Sequence, residues 1–397
     1  MRALACCFFV GLWGCYSVDY PAQYQCSNAS PATSRCPEGF ECNGTRCVPK
    51  GSTVDAGDAV VSKPDGPTVL VVTLVAGTGS KGFANGPAGN AQFSSPVGLA
   101  VDTAGSTFVA DTGNHCIRKI DNGQVTTFAG KCGEPGNADG ALTLARFRLP
   151  ATVIAGASGE LVVSDTWNHC IRRIQGGQVT TLAGSCGPAQ GGYVDGVASN
   201  AKFRIPIGIT SGAGGELFVT DSGNNCLRMI KSGQVSRFAG NCSATLLSSK
   251  DGTLATARFN GPSGIWLDQS QMVVSDSSSN CIRQIVSQQV STLAGTCDAK
   301  TAGFKDGAAA IARFSKPSGL MIGTEGIYVS DINNHALRRI AGGVVSTVAG
   351  NGVAGSQLAD VMGSVFNKPS GVLVLGGGQV LVADTENHRI VKVGPGL

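Results

Sequence analysis

Six copies of three sequence markers, always in the same order, constrain the fold of this chain more than any other feature. An alternating apolar segment ends in Ala-Gly six times, and the markers close at Gly77, Gly130, Gly184, Gly240, Gly295 and Gly350. A Phe followed three residues later by Pro recurs in every interval, first at Phe93 and Pro96. The third marker reads VADTGNHCIRKI in its first copy and VADTENHRIVKV in its last. A period of 53 to 56 residues is typical of repeat architectures.

Each repeat contains four short segments that have strand character. In the first repeat they cover residues 97–101, 107–110, 116–120 and 125–129, and turn-forming residues separate them. The 57 glycines and the low aromatic content of 6% agree with many short strands joined by tight turns. The sequence therefore predicts an all-β, six-bladed β-propeller made of four-stranded antiparallel blades and spanning residues 69–397.

The ends of the repeat array indicate how the ring closes. The last repeat supplies only three strand candidates, near residues 372–375, 379–383 and 389–393. One strand that follows no earlier repeat, residues 69–76 (VLVVTLVA), also ends in the Ala-Gly marker. We expect strand 69–76 to complete the last blade, which would leave no unpaired sheet edge at the junction.

The N-terminus is typical of an exported protein. Arg2 is followed by an apolar stretch over residues 3–13, which is too short to remain as a membrane-spanning helix. The ending LWGC resembles the lipobox of bacterial lipoproteins, so we predict a signal segment over residues 1–15 and lipidation of Cys15. An ordinary cleaved signal is the alternative. The predicted location is the cell envelope or outer membrane, or otherwise the secreted fraction.

The cysteine count favours an oxidising compartment. Of the 15 cysteines, Cys6 and Cys7 belong to the predicted signal and Cys15 to the anchor, and the remaining twelve are an even number. A small Cys-rich module is predicted over residues 16–48, with the connectivity of its four cysteines left open: Cys26, Cys36, Cys42 and Cys47. Residues 49–68 are rich in Pro, Gly, Asp and Ala and indicate a flexible linker.

Cysteines sixteen residues apart occupy equivalent positions in the first four repeats. Both positions change together in the fifth repeat, to Ala336 and Gly352. This coupled presence and absence predicts four disulfides, Cys116–Cys132, Cys170–Cys186, Cys226–Cys242 and Cys281–Cys297. Zinc thiolate sites are the alternative, and they fit poorly with export and with two thiols per repeat.

The third marker contains Asn-His pairs, at Asn114/His115, Asn168/His169, Asn334/His335 and Asn387/His388. On these residues the region 69–393 resembles the NHL-repeat family, named for its Asn-His-Leu motif. The third-position Leu is absent, and Asn225 and Asn280 replace the His in the third and fourth repeats. The resemblance implies a six-bladed propeller.

Ionisable residues in the same marker suggest structural rather than chemical roles. The four histidines could form a ring of metal ligands, but their repeated position favours packing, and we expect no metal and no cofactor. An aspartate opens the marker in every repeat and an arginine follows seven residues later in five of them. We interpret this pair as a turn-stabilising contact. Because Val391 takes the arginine position in the last repeat, that blade is expected to fold without the arginine.

The connections from Ala-Gly to the next Phe are long, about 16 to 19 residues, where 4 to 6 is usual. They are expected on the same end of the propeller as the Asn-His turns, which makes that end the candidate binding surface. Their repeated Asp-Gly and Ala-Arg/Lys-Phe pattern indicates shared turn structure. Recognition would therefore fall to variable residues, namely Glu134, Gln190, Tyr193, Leu246 and Leu247.

Together these features predict an exported, lipid-anchored scaffold that binds a protein or a glycan. A propeller enzyme, a lyase or hydrolase with an axial metal, is the alternative, but no catalytic residue stands outside the repeat pattern. Nucleic-acid binding is disfavoured, because the net charge is only +4 and no basic run is present.

Overall fold

The computed structural model describes residues 69–396, apart from 157, 246, 269–270, 359–360 and 364, together with four short strands nearer the N-terminus. The chain divides into two compact units, Met1–Pro67 and Thr68–Leu397. Cys15, Cys26, Cys36, Leu246 and residues 50–68 of the proposed linker lie outside the described residues. In the part of the chain that is described, no helix has the length and apolarity needed to cross a membrane.

The first unit contains two antiparallel strand pairs. Arg2–Ala5 pairs with Tyr16–Asp19, and Phe40–Asn43 pairs with Arg46–Pro49. The register of the second pair sets the backbone of Cys42 directly opposite that of Cys47.

The second unit is a six-bladed β-propeller in which every blade is an antiparallel sheet. From the innermost strand outward, the blades consist of the following strands: Leu99–Val101, Thr107–Asp111, Cys116–Asp121 and Gln124–Ala129 in blade 1; Val153–Ala155, Leu161–Asp165, Cys170–Gln175 and Gln178–Ala183 in blade 2; Pro206–Ser211, Leu217–Asp221, Cys226–Lys231 and Gln234–Ala239 in blade 3; Pro262–Leu267, Met272–Asp276, Cys281–Val286 and Gln289–Ala294 in blade 4; Pro317–Gly323, Gly326–Asp331, Ala336–Ala341 and Val344–Ala349 in blade 5; Pro369–Gly376, Gln379–Asp384, Arg389–Pro395 and Leu70–Ala76 in blade 6. The all-β six-bladed fold predicted from the repeats is confirmed.

Five blades carry one strand more than the repeat pattern predicts. Each of these additional strands has two residues and pairs with the outermost strand of its blade: Gly86–Pro87, Gly140–Ala141, Gly196–Val197, Gly252–Thr253 and Gly307–Ala308. They belong to the long connections, which run along the outer edge of the blade they lead into. A two-residue strand is too short to produce the alternation by which strands are recognised in a sequence.

The ring closes as the repeat array predicts. Leu70–Ala76 is the outermost strand of blade 6 and pairs antiparallel with Arg389–Pro395, from Ala76 opposite Ile390 to Leu70 opposite Pro395. One apolar cluster joins blade 6, through Leu373 and Ile390, to blade 1, through Phe93. The closure is therefore made by both backbone pairing and apolar packing.

The end of the propeller that carries the long connections also carries six short 3-10 turns between the second and third strands. These turns are Thr112–Asn114, Thr166–Asn168, Ser222–Asn224, Ser277–Ser279, Ile332–Asn334 and Thr385–Asn387. A seventh 3-10 turn, Ala299–Thr301, lies within a long connection. We call this end the loop-rich face. A backbone bond of 2.8 Å from Gly133 N–H to the Asn114 carbonyl shows that connections and turns meet there.

Glycines on the innermost strands allow neighbouring blades to approach closely near the axis. A Cβ atom on Gly371 would lie 1.9 Å from the carbonyl oxygen of Val97, and one on Gly264 would lie 2.2 Å from that of Ser318. Real Cβ atoms do not approach backbone oxygens so closely, so the ring requires glycine at these positions. Blade 2 has Thr152 at the equivalent place.

We expect Gly371→Ala to lower the free energy of unfolding by about 1–3 kcal/mol or more, because the new methyl group collides with backbone rather than with a movable side chain. Gly89→Ala is the matched control, since a Cβ there meets nothing within 4 Å. Urea unfolding of both variants measures the difference. Equal stability of the two variants would contradict the proposed close approach.

Candidate functional site

A buried aspartate at the end of each second strand organises the loop-rich face. In blade 1, one carboxylate oxygen of Asp111 accepts a hydrogen bond of 2.7 Å from the backbone N–H of Ser94. The other oxygen accepts from Asn114 Nδ2 at 2.8 Å and from Arg118 Nη1 at 2.9 Å. Burial raises the pKa of Asp111 to about 6, and the hydrogen bonds and the charge of Arg118 oppose that rise. The carboxylate is therefore ionised at neutral pH, with its charge balanced inside the blade.

The same pair recurs with little variation in the next four blades. The Nη1–Oδ2 distances are 2.8, 2.8, 3.1 and 2.7 Å for Asp165–Arg172, Asp221–Arg228, Asp276–Arg283 and Asp331–Arg338. Blade 4 has Ser279 in place of the asparagine, and there the Ser249 hydroxyl donates to Asp276 at 2.5 Å. A loss at one position of the cluster is thus compensated from the long connection.

The arginine also fixes the long connection to its blade. Arg172 Nη1 donates to the carbonyl of Arg146 at 3.0 Å, and Nη2 donates to Asp139 at 2.5 Å. The guanidinium lies 5.2 Å from the ring centroid of Phe147, the repeated Phe of blade 2. The repeated Asp-Gly and Ala-Arg/Lys-Phe pattern therefore belongs to the scaffold, because its aspartate and its backbone carbonyls are the partners of a buried arginine.

Blade 6 corrects one expectation from the sequence. The cluster of blade 6 also contains an arginine. Arg389, two residues before Val391, reaches the same carboxylate, and its Nε donates to Asp384 at 2.8 Å. Its other nitrogens donate to the carbonyls of Ser356 and Val365, both at 3.0 Å. Arg389 occupies the position of the first cysteine in blades 1 to 4. Its length lets it enter the cluster from the start of the strand, which a fixed spacing of seven residues does not reveal.

The repeated histidine forms the joint between neighbouring blades. His115 Nδ1 accepts a hydrogen bond of 3.1 Å from the backbone N–H of Leu149 in blade 2, and His388 Nδ1 accepts one of 3.1 Å from Ser95, across the closure. Each donor precedes the proline of an innermost strand and has a positive φ, such as 46° at Leu149. Nδ1 can accept only when it carries no proton, so the bond from Leu149 requires the neutral form of the His115 ring.

The two blades without histidine keep the joint. Asn225 Oδ1 accepts from Gly261 N–H at 2.7 Å, and Asn280 Oδ1 accepts from Lys316 N–H at 3.0 Å. An amide oxygen can replace an imidazole nitrogen because the position needs only an acceptor. The histidines are thus separate joints around the ring, and they do not converge on one point.

Hydroxyl groups add a second bond at each joint. In blades 1, 2 and 6, a threonine after the aspartate donates to the proline carbonyl of the next blade, as Thr112 does to Pro150 at 2.7 Å. In blades 3, 4 and 5, a Ser or Thr before the aspartate donates instead to a serine carbonyl, as Ser275 does to Ser318 at 2.6 Å. Either placement satisfies a buried carbonyl between blades.

Four disulfides join the third strand to the start of the long connection. They are Cys116–Cys132, Cys170–Cys186, Cys226–Cys242 and Cys281–Cys297, with Cα–Cα distances of 4.8 to 5.1 Å. The chain curls back toward the third strand at Gly130, whose φ is +87°. A closed loop of this size contributes on the order of 3 kcal/mol in the chain-entropy description. The disulfides therefore secure the connections at their first residues.

The variable residues proposed for recognition have different environments. Glu134 forms ion pairs with Lys131 and Arg146, and the Tyr193 ring covers Arg228 at 4.6 Å, so both serve partly to hold their connections in place. Leu247 is 68% exposed. Gln190 is exposed and lies between two residues that line a groove.

This groove is an open pocket of about 440 Å³ on the loop-rich face, between blades 2 and 3. Its lining is formed by Trp167, His169, Pro188, Ala189, Gly191, Arg204 and Ile205, and we call it the Trp167 groove. Trp167 is 52% exposed although it is the largest side-chain type. Sequence reasoning missed it, yet a signal exists, because the turn position that holds Trp167 holds glycine at Gly113 and Gly223.

Metal-ligating side chains come together in blade 2. Among the described residues, one cluster, Asp165, Cys170 and Cys186, brings metal-ligating atoms together. Its two sulfurs form a disulfide, and its carboxylate holds Arg172. These groups are therefore already engaged in structural bonds.

Comparisons with known proteins agree with the fold and the repeats. The family model described as NHL repeat matches residues 93–120, 203–228 and 366–393, in blades 1, 3 and 6. NHL repeat-containing protein 2 of Bos taurus is 29% identical over 337 residues, which cover 74% of this chain and 46% of that protein. Protein SUPPRESSOR OF QUENCHING 1, chloroplastic, of Arabidopsis thaliana is 29% identical over 302 residues, covering 68% of this chain and 27% of that protein. The chain thus spans less than half the length of these relatives.

Two solved structures share the fold. A protein of unknown function from Bacteroides thetaiotaomicron superposes with a TM-score of 0.62 at 19% identity, over 82% of this chain and 76% of that one. An auxiliary nutrient binding protein from the same organism gives a TM-score of 0.61 at 16% identity, with the same coverage of both chains. At these identities the similarity shows the fold alone.

We expect His115→Asn to preserve the joint to blade 2 and to reduce the acid sensitivity of the protein. Burial, followed by the charge of Arg148, lowers the pKa of His115 below 6.5. The contribution of His115 to stability is therefore complete above pH 6.5 and is lost as the pH falls through its lower folded pKa. The asparagine copies the residue found at Asn225 and does not titrate.

Urea unfolding at about pH 7.5 and about pH 5 tests this expectation. Because its pKa is raised, Asp111 makes a contribution to stability that changes with pH in the opposite direction. Asp111 is present in both proteins, so comparing the variant with the parent removes this contribution. His115→Ala should cost about 1 kcal/mol at the higher pH, because the Leu149 N–H loses its acceptor. An unchanged pH dependence in His115→Asn would show that this joint does not titrate.

Proposed function

We propose that this chain, which carries NHL repeats on a six-bladed β-propeller, is an exported and lipid-anchored scaffold. Its loop-rich face binds a protein or a glycan. The observation that carries the proposal is the contrast between two sets of residues on that face. Repeated side chains such as Asp111, Arg118 and His115 are engaged in bonds within or between blades. Trp167 and Leu247 depart from the repeat and are exposed. Exposed apolar side chains on a rigid support are typical of a recognition surface.

The rigidity of the support favours binding. The connections that form the face are held by buried arginines and by disulfides, so little conformational entropy remains to be lost when a partner docks. A propeller of the same fold occurs in a protein described as an auxiliary nutrient binding protein, which is consistent with a binding role.

The four disulfides support export, because such bonds persist in oxidising compartments. The anchor is proposed from the sequence LWGC, in which Cys15 would carry the lipid. With that anchor, residues 16–68 would connect the propeller to the membrane surface.

Binding is preferred to catalysis for a physical reason. The buried carboxylates of the described residues, such as Asp165, are bonded to an arginine and to an asparagine or a serine side chain. A general acid or base needs a group that is free to exchange a proton with a substrate. Lyase and hydrolase chemistry would require residues outside this repeated network.

A panel of glycans and extracellular proteins probed with the full chain tests the function. The face variant combines Trp167→Gly, Leu247→Ala and Glu386→Gly, three exposed residues of the loop-rich face. The control combines Gln178→Ala, Gln234→Ala and Gln289→Ala, exposed residues at the opposite end of their blades. We expect the face variant to capture at least about 10-fold less partner than the parent, and the control to capture the same amount as the parent. Capture that survives in the face variant, or a parent that captures nothing, would refute the proposal.

A further inference from the structure

The Trp167 groove combines an aromatic surface with an uncompensated positive charge. Trp167 lies on the 3-10 turn of blade 2, and Arg204 directly follows the repeated Phe of blade 3. Arg204 is exposed, and its side chain makes no ion pair or hydrogen bond with the other described residues. The described residues that line the groove include no carboxylate. A ligand in this groove would therefore meet a flat apolar ring and a guanidinium that has no partner.

A second arginine strengthens the positive charge at this place. The backbone N–H of Trp167 donates to the carbonyl of Arg148 at 3.2 Å, so Arg148 lies beside the turn that carries the tryptophan. Arg148 Nε is buried and has no hydrogen-bond partner among the described residues. Half-buried arginines elsewhere in the propeller have acidic partners, such as Arg339 with Glu325 at 3.0 Å. The one arginine that lines the groove, Arg204, would attract an anion, and Arg148 adds positive charge beside the neighbouring turn.

The walls of the groove are fixed before any ligand arrives. His169 Nδ1 accepts from the N–H of Ile205 at 3.1 Å, and its ring lies against Gly191, where a Cβ atom would be 3.1 Å from Nε2. His169, at the end of the turn, thus contacts both the long connection and the entry to the innermost strand of blade 3. The Cys170–Cys186 disulfide holds the same connection two residues before Pro188. The distance between the tryptophan and arginine sides of the groove is therefore set by the fold.

We propose that the Trp167 groove binds an acidic saccharide, meaning a chain that contains uronic acid units. The inference rests on the proposed binding function of the loop-rich face and names its ligand class. The indole ring of Trp167 would lie against the C–H face of a sugar ring. The Arg204 guanidinium would bind the uronate carboxylate through two parallel N–H bonds, and Arg148 would add favourable charge.

The geometry favours a saccharide over a nucleic acid or a peptide. Single-stranded nucleic acids need several stacking rings along a continuous basic path, whereas this groove offers one tryptophan and is about 440 Å³ in volume. A peptide segment usually engages an exposed strand edge or an apolar helix-binding groove. Here the strand edges of blades 2 and 3 are covered by Gly140–Ala141 and Gly196–Val197. A small open groove with one ring and one fork-shaped donor suits a charged sugar.

Calorimetry with the full chain tests the proposal. The probes are oligogalacturonate, an alginate oligosaccharide and a hyaluronan oligosaccharide, together with the methyl ester of the first, which keeps the sugar rings but removes the charge. At least one acidic probe should bind, and binding should weaken as salt is added. The ester should bind about 10-fold more weakly or not at all, because the charge-assisted bonds to Arg204 are lost.

Matched variants locate the site. Trp167→Gly copies the residue of the equivalent turns in blades 1 and 3, and Arg204→Gln keeps the length but removes the charge. Each should weaken binding by about 10-fold or more. Arg313→Gln, which removes the charge of an exposed arginine in blade 5, should leave binding unchanged. Thermal unfolding of the variants confirms that they remain folded.

The outcomes separate this inference from the function on which it rests. If none of the acidic probes binds, or if Trp167→Gly and Arg204→Gln bind as the parent does, the saccharide proposal is wrong. If the same protein still captures a partner that the face variant loses, the binding function stands and only the ligand class is refuted. Capture of RNA or of an acidic peptide by this groove, in place of the saccharides, would also overturn the inference.

Discussion

The buried ion pair between the aspartate of the second strand and an arginine of the third is the interaction on which the rest of the propeller depends. In blade 3, Arg228 joins Asp221, Asp195 and the carbonyls of Lys202 and Val194, so one side chain connects two strands to the middle and the last part of a long connection. Removing one partner of such a pair leaves an uncompensated buried charge, which costs about 3–5 kcal/mol. The pair therefore determines where the connections lie, and the connections form the loop-rich face.

Other repeated residues meet the demands of a closed ring. Neighbouring blades are joined by histidine or asparagine acceptors and by threonine or serine hydroxyls, while glycines such as Gly371 allow close backbone approach at the axis. Because repetition in this chain marks structural bonds, departures from repetition mark the candidate recognition residues. Trp167 and Arg204 are two such departures, and they meet in one groove.

Much of this fold was predictable because its units repeat. Six copies of each marker gave the blade number, and the unmatched strand 70–76 gave the closure. The two-residue outer strands were not predictable, since they are too short to alternate. The role of Arg389 was not predictable, because it reaches Asp384 from a different position on the strand than the other arginines do. A search for a fixed spacing cannot find such a contact. The groove was not predictable for a related reason. It joins a turn of blade 2 to a connection of blade 3 that lies about 20 residues or more away in sequence, and bonds between the blades, such as that at His169, bring them together.

Hydrogen exchange of Arg228→Met, compared with the exposed-residue control Arg237→Met, tests the central role of the buried pair most directly. The amides of Gly192 and Lys202 donate hydrogen bonds within the long connection of blade 3, so we expect them to be protected in the parent. If Arg228 holds that connection, these amides should exchange about 10-fold faster or more in Arg228→Met, and at the parent rate in the control. Parent-like protection of both amides in Arg228→Met would contradict the account, because the connection would then be held by something other than the buried arginine.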